Sequence, residues 1–204
     1  MLFLYIFLGL LIAFAVFYKF IFLRDNQNLI PKGNNIASPA SGKIISIQTV
    51  DANTDLKIRK GLFGKINTRI EAGEKYYLIN IFMSPFDVHF TKMPYAGKIQ
   101  NIERKPGKFF QANSMKAALE NEKQEFLIET ELGLMKVIQI AGFLARRTRS
   151  FTEKGQELLK GDKLGIILLA SQTALLFPKK NYILNVKVGD RVSSGETIIS
   201  YLDQ

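Results

Sequence analysis

The chain carries a single histidine, His89, in the run Phe82-Met83-Ser84-Pro85-Phe86-Asp87-Val88-His89. Imidazole exchanges protons near neutral pH, so any acid–base step that uses imidazole here uses His89. Asp87 stands two positions earlier. In a strand, residues i and i+2 share a face, which would bring carboxylate and imidazole together; a turn following Pro85 is the other reading. Ser171 is a hydroxyl inside the apolar run IILLASQTALLF (166–177). Taken alone, Ser171 reads as an ordinary polar residue and His89 as a strand-end histidine with a satisfied hydrogen bond. The chain has no cysteine, so disulfides and thiolate metal sites are absent, and one histidine argues against a zinc site. No metal is expected.

Several elements must position these groups. Met1 to Tyr18 contains no charge and is almost wholly apolar; Lys19 interrupts the run, Phe20 to Leu23 resumes it, and Arg24-Asp25 ends it. Eighteen to twenty-three residues at 1.5 Å each give roughly 27–35 Å of helix, about the thickness of a bilayer core. A cleaved signal peptide would open on basic residues, whereas here Lys19 and Arg24 follow the apolar run. Residues 1–23 are therefore expected to form a retained transmembrane anchor. The positive-inside rule puts the following domain on the cytoplasmic side of the cell membrane. Residues 24–35, with Pro31 and Gly33, read as a linker.

From residue 36 onward, β-rich runs alternate with Gly, Pro and Asn. Strands are expected at 43–50, 76–82, 97–103, 125–131, 134–142, 164–170 and 196–202. A short helix is expected at 114–121, with Ser114 as its N-cap. The fold class is mainly β: a β-rich α+β sandwich or barrel-like domain over 36–204, plus the N-terminal transmembrane helix. A weak repeat, P-x-x-G-K-I-x-x-I, starts at Pro39 and at Pro94, each time with a turn feeding a strand. Val186 to Glu196 has the turn grammar of a lipoyl- or biotinyl-type half motif. Lys43 and Lys98 follow the repeat glycines, but neither has the flanking methionines of a carrier lysine.

Net charge is +10, from 28 basic and 18 acidic residues. For a chain tethered to a bilayer, anionic lipid headgroups are the simplest partner for that excess. Plain solubility is the alternative. No aromatic-basic motif points to nucleic acid.

Six segments, taken in order, carry a resemblance. They are SPASGKI (38–44), IFMSPFDVHFTKMPYAGKI (81–99), GKFFQANSMKAALENE (107–122), VIQIAGFLARR (137–147), KGDKLGIILLASQTALLFP (160–178) and VKVGDRVSSGET (186–197). Together they resemble the phosphatidylserine decarboxylases, pyruvoyl-dependent enzymes of phospholipid synthesis, in their compact bacterial and archaeal form. Decarboxylating an amino acid needs an electron sink, and no ordinary side chain is a ketone. The family makes one from its own backbone: a serine attacks the preceding carbonyl, the chain is cut, and the serine becomes an N-terminal pyruvoyl group.

The resemblance implies that Ser171 is the precursor and that the cut falls between Ala170 and Ser171. The products would be a β-chain, 1–170, and a pyruvoyl-bearing α-chain, 171–204. His89 would move the serine proton and later steer protons at the substrate α-carbon, with Asp87 in support. Two positions depart from the family pattern. Ser41 stands where the family usually has the aspartate that partners the histidine, so a negative charge is lost. Ala170 stands where it usually has glycine, which adopts backbone angles that a β-carbon disfavours.

Arg146 and Arg147, with Arg149, could fork onto a lipid phosphate or form a solvated cluster. Phe109, Phe110 and Phe143 could line an acyl path or fill a β core. The expected activity is self-cleavage followed by conversion of phosphatidylserine, or a related serine phospholipid, to phosphatidylethanolamine. The rivals are a decarboxylase-fold homologue that does not process itself and acts as a binding or regulatory protein at the membrane, and a tethered carrier-like sandwich. A homo-oligomer stays open.

Overall fold

The computed structural model describes the chain apart from residues 26–28, 52–55, 61–63, 69–74, 106–121, 142–147, 168–170, 180–181 and 203–204. The apolar N-terminus forms helix α1 (Leu2–Val16), continued by a wider π-helical turn over Phe17–Phe22. In that turn the Leu23 N–H donates to the Tyr18 carbonyl, five residues back, at 3.0 Å. The combined helix has 21 residues, roughly 30 Å long and sufficient to cross a bilayer core.

Sixteen strands follow among the described residues. The first seven are β1 (Asn35–Ala37), β2 (Gly42–Asp51), β3 (Leu56–Lys60), β4 (Gly64–Thr68), β5 (Lys75–Met83), β6 (Phe90–Lys92) and β7 (Gly97–Lys105). Next come β8 (Lys123–Thr130), β9 (Gly133–Ile140), β10 (Thr148–Ser150), β11 (Glu157–Leu158) and β12 (Lys163–Ile167). The last are β13 (Ser171–Pro178), β14 (Tyr182–Leu184), β15 (Arg191–Val192) and β16 (Ile198–Leu202). The main sheet has eight strands in the order β11-β7-β8-β9-β13-β5-β2-β15. Two three-stranded sheets, β1-β16-β14 and β10-β12-β6, flank it, and β3-β4 is a separate hairpin.

All the expected strands are present. The strand expected at 164–170 is met over β12 and then runs into residues outside those described, and the helix expected at 114–121 lies wholly outside them. The sequence does not mark every strand, and β13 is the most consequential of those it leaves unmarked. β13 lies between β5 and β9 near the middle of the main sheet, and all eight of its residues are buried. A strand covered on both faces shows no polar–apolar alternation, so SQTALLFP merges with the apolar run before it. Its two faces do separate by packing. Leu175 and Phe177 enter the larger core with Ile81, Met83 and Val137, while Ala174 and Leu176 join Leu78, Ile138 and Ile140.

The repeat has a steric explanation. A Cβ on Gly42 would lie 2.1 Å from the Phe82 carbonyl oxygen, and one on Gly97 would lie 2.3 Å from that of Glu129. Each repeat glycine lets a strand start in contact with its neighbour's backbone. Lys43 and Lys98 then fall inside paired strands, Lys43 opposite both Phe82 and Arg191, and Lys98 opposite Glu129. Neither is at a hairpin tip, so the carrier reading loses its attachment site.

Candidate active site

Ser171 is the first residue of β13 and pairs with Met83, the last residue of β5. Its hydroxyl is buried and donates to the Met83 thioether at 3.4 Å, as does the Thr173 hydroxyl, also at 3.4 Å. Alternation along the strand keeps residues 171 and 173 on one face. Opposite Thr173 on β9 is Gln139, whose amide donates to the Thr91 hydroxyl at 2.9 Å. The Gln139 amide oxygen is buried with no partner among the described residues. Ser171 thus faces a neutral polar wall inside an otherwise apolar core. The sequence reading did not single out Met83, Thr91, Gln139 or Thr173; the available signal was polar side chains at core-facing strand positions.

His89 lies immediately before β6 and is fully buried. Among the described residues no well-aligned hydrogen bond reaches either ring nitrogen, and the Asp87 backbone is the polar group that engages the ring. Its ring stands 4.1 Å, centroid to centroid, from that of Phe22 on the N-terminal helix. Burial holds the imidazole pKa down to about 4; the Asp87 backbone and carboxylate pull it upward, and the Arg24 guanidinium adds to the lowering. The ring is therefore neutral at neutral pH and has a lone pair to accept a proton.

Residues 84–89 form a turn and a connection, not a strand. Asp87 closes the turn: its N–H donates to the Ser84 carbonyl at 3.0 Å, and its carboxylate accepts from the Ser84 N–H at 2.8 Å and hydroxyl at 2.7 Å. Arg191 donates to the other carboxylate oxygen at 2.6 Å. The carboxylate's hydrogen bonds go to Ser84 and Arg191, and it acts on His89 through charge. Ser41 is buried and accepts from the Ser194 N–H at 2.9 Å. The Ser194 hydroxyl lies 3.1 Å from the Pro39 carbonyl and 3.0 Å from that of Phe90. One hydroxyl thus ties the segment containing Ser41 to the residue after His89.

Two hydrogen-bonded anchors bracket the bond of interest. The Ile167 N–H donates to the His89 carbonyl at 3.2 Å, and Ser171 is held opposite Met83. Four chain steps separate Ile167 from Ser171, a reach of at most roughly 14 Å. Ala170 lies in that link, outside the described residues, as do Arg146, Arg147, Phe109, Phe110 and Phe143. Arg149 is exposed on β10, its guanidinium 5.9 Å from the Phe151 ring centre.

The family model for phosphatidylserine decarboxylase matches residues 15–200. The chain belongs to that family. It is 38% identical to a phosphatidylserine decarboxylase proenzyme of Nitratidesulfovibrio vulgaris, over 88% of this chain and 75% of that protein. It is 34% identical to one from Pelagibacter ubique, over 95% of this chain and 82% of the relative. A protein of Methanocaldococcus jannaschii, which carries the provisional name archaetidylserine decarboxylase proenzyme, is 37% identical over 93% of this chain and 90% of its own length. Membership makes the chain a carboxy-lyase by family, and the N-terminal apolar helix accords with a membrane setting.

The buried hydroxyl, the neutral wall and the neutral imidazole, engaged only weakly by the Asp87 backbone, fit a ketone made at position 171. Such a group would sit at the start of β13, held by the ladder to β5 and β9.

Proposed function

We propose that the chain is a membrane-anchored proenzyme that cuts itself between Ala170 and Ser171 and then decarboxylates phosphatidylserine or a related serine phospholipid to its ethanolamine counterpart. The observation that carries this reading is His89, a buried neutral imidazole whose own carbonyl holds the strand leading into the Ala170–Ser171 bond.

The Ser171 oxygen adds to the Ala170 carbonyl carbon and the C–N bond gives way to an ester, while His89 takes the hydroxyl proton and returns it to the residue 171 nitrogen. Loss of the residue 171 α-proton with cleavage of its Cβ–O bond then frees the Ala170 carboxylate. Water replaces the nitrogen, ammonia leaves, and the 171–204 chain begins with a pyruvoyl ketone. When present, that ketone takes the substrate amine and accepts the electron pair released with CO2. His89 holds or returns the proton at the substrate α-carbon. The core around Ser171 and Met83 limits water there to the single molecule the hydrolysis consumes and keeps bulk solvent away. Arg146 and Arg147 are proposed to bind the phosphate. Lys19 and Arg24 after the apolar run support a cytoplasmic domain on the cell membrane.

Intact mass spectrometry of the purified full chain tests this: the reading requires a 170-residue species and a 34-residue species, residues 171–204, that resists Edman degradation. The second reading, a non-processing homologue, is favoured by Ser41 and Ala170 at the processing site. A chain that stays whole across pH and lipid conditions would select it.

A further inference from the structure

Phe14, Tyr18 and Phe22 recur every fourth residue along the N-terminal helix. Their rings form a column: 6.2 Å from Phe14 to Tyr18, 5.3 Å from Tyr18 to Phe22 at a 9° interplanar angle, then 4.1 Å from Phe22 to His89. Phe22 is fully buried, although every residue of α1 is exposed. Its burial comes from the catalytic domain, and it lies against the one imidazole the chain possesses.

The foot of the helix is clamped where this contact forms. Arg24 donates to the Phe86 carbonyl at 2.6 Å and to its own helix at Ile21, at 2.7 Å. Asp25 pairs with Lys163 at 2.9 Å and with Lys92 at 3.3 Å, on the two strands flanking the His89 segment. Phe17 meets the Phe86 ring edge-on at 5.7 Å. A membrane tether alone needs none of these contacts, since a flexible linker would hold the domain near the bilayer equally well.

We infer that Phe22 is a positioning residue for His89: its ring packs against the imidazole at a 33° tilt, shields it from water, and makes the foot of the membrane helix one wall of the proton-transfer site. This rests on the reading of His89 as the proton carrier. Among the described residues, the charges that act on the imidazole are Asp87, itself paired with Arg191, and Arg24 from the helix foot; Asp25, Lys92 and Lys163 neutralise one another in their own cluster on the packed elements. Phe22 contributes no charge; it acts by excluding solvent, which disfavours imidazolium. Detaching the helix would therefore alter the chemistry as well as the location.

A chain with one histidine gives one imidazole signal, so its titration can be followed directly by NMR of histidine-labelled protein in lipid nanodiscs. A Ser171→Ala background keeps the chain whole, so this arm is decided even if native self-cleavage fails. Phe22→Ala is expected to raise the imidazole pKa by a unit or more, towards the ordinary 6.5. Phe22→Tyr should leave it near the starting value. Phe20→Ala, on the exposed side of the same turn, should not move it. In the cleaving chain, the acid limb of the cleavage-rate profile should shift with Phe22→Ala by the same amount. An unchanged titration in Phe22→Ala, or an equal shift in Phe20→Ala, overturns the inference. Should Phe22→Ala not fold, 4-fluorophenylalanine placed at position 22 reads the contact in an intact core. Its fluorine resonance must follow the imidazole titration, and a flat response overturns the inference equally.

Discussion

Asp87 and Arg191 lie 104 positions apart in sequence, on opposite sides of the proposed cut, and their side chains meet at 2.6 Å. The arginine side chain is 68% exposed, so this pair contributes no more than about 1 kcal/mol. The stronger tie between the two segments is β13, buried over its whole length and paired with β5 and β9. After cleavage, residues 171–204 should stay bound to residues 1–170 through gel filtration and native mass spectrometry, separating only in denaturant. Arg191→Ala should leave that association intact. Loss of the small chain under native conditions would show that the ladder does not form as described.

Ser171→Ala removes the attacking oxygen and should give one uncut species. Appearance of the same two chains from that variant would place the cut elsewhere.

Ser41 occupies the position at which the family pattern implies an aspartate partner for the histidine, and its hydroxyl accepts the Ser194 N–H. An aspartate there can accept the same N–H and bring the missing charge. Ser41→Asp is expected to speed self-cleavage by about tenfold or more, within the range of acid–base contributions, measured by time-resolved intact mass. No gain would shift attention to Ala170, where Ala170→Gly should then accelerate the cut by easing the backbone angles.

The buried imidazole makes stability depend on pH. His89 titrates at about 4 in the fold against about 6.5 when unfolded, so over that interval the unfolded chain binds more protons. Its contribution is complete above pH 6.5 and is lost as pH falls towards 4, by roughly 3 kcal/mol in total. Urea denaturation of the Ser171→Ala chain at several pH values should show this slope, and a His89→Phe variant should flatten it. An equal slope in the two chains would show that other groups carry the acid sensitivity.

Gly42 is held with φ +153°, where a Cβ would strike the Phe82 carbonyl oxygen at 2.1 Å. Gly42→Ala should destabilise the domain by about 2 kcal/mol or more, since the obstacle is strand backbone and cannot rotate away. Gly155, also at positive φ but with open space around it, provides the contrast: Gly155→Ala should cost about 1 kcal/mol. Chemical denaturation of the two variants would decide between clash and conformation as the larger effect.

The amino-acid sequence by itself determined the apolar N-terminal helix, the β-rich domain and the identity of the chemical groups. The helix is legible because eighteen uncharged, mostly apolar residues run without a break, and a half-buried strand because alternation survives in Lys43 to Val50. His89 and Ser171 stand out through rarity and the segments around them. Tertiary structure alone decided what each group touches. It put Asp87 in a turn with Ser84 and Arg191, set Ser171 against the Met83 sulfur, and brought Phe22 onto the imidazole. Apart from the local Asp87–Ser84 contact, these join residues 67 to 104 positions apart, and local propensity carries no information about them. They depend on strand order and register, which arise when the whole sheet closes over a shared core.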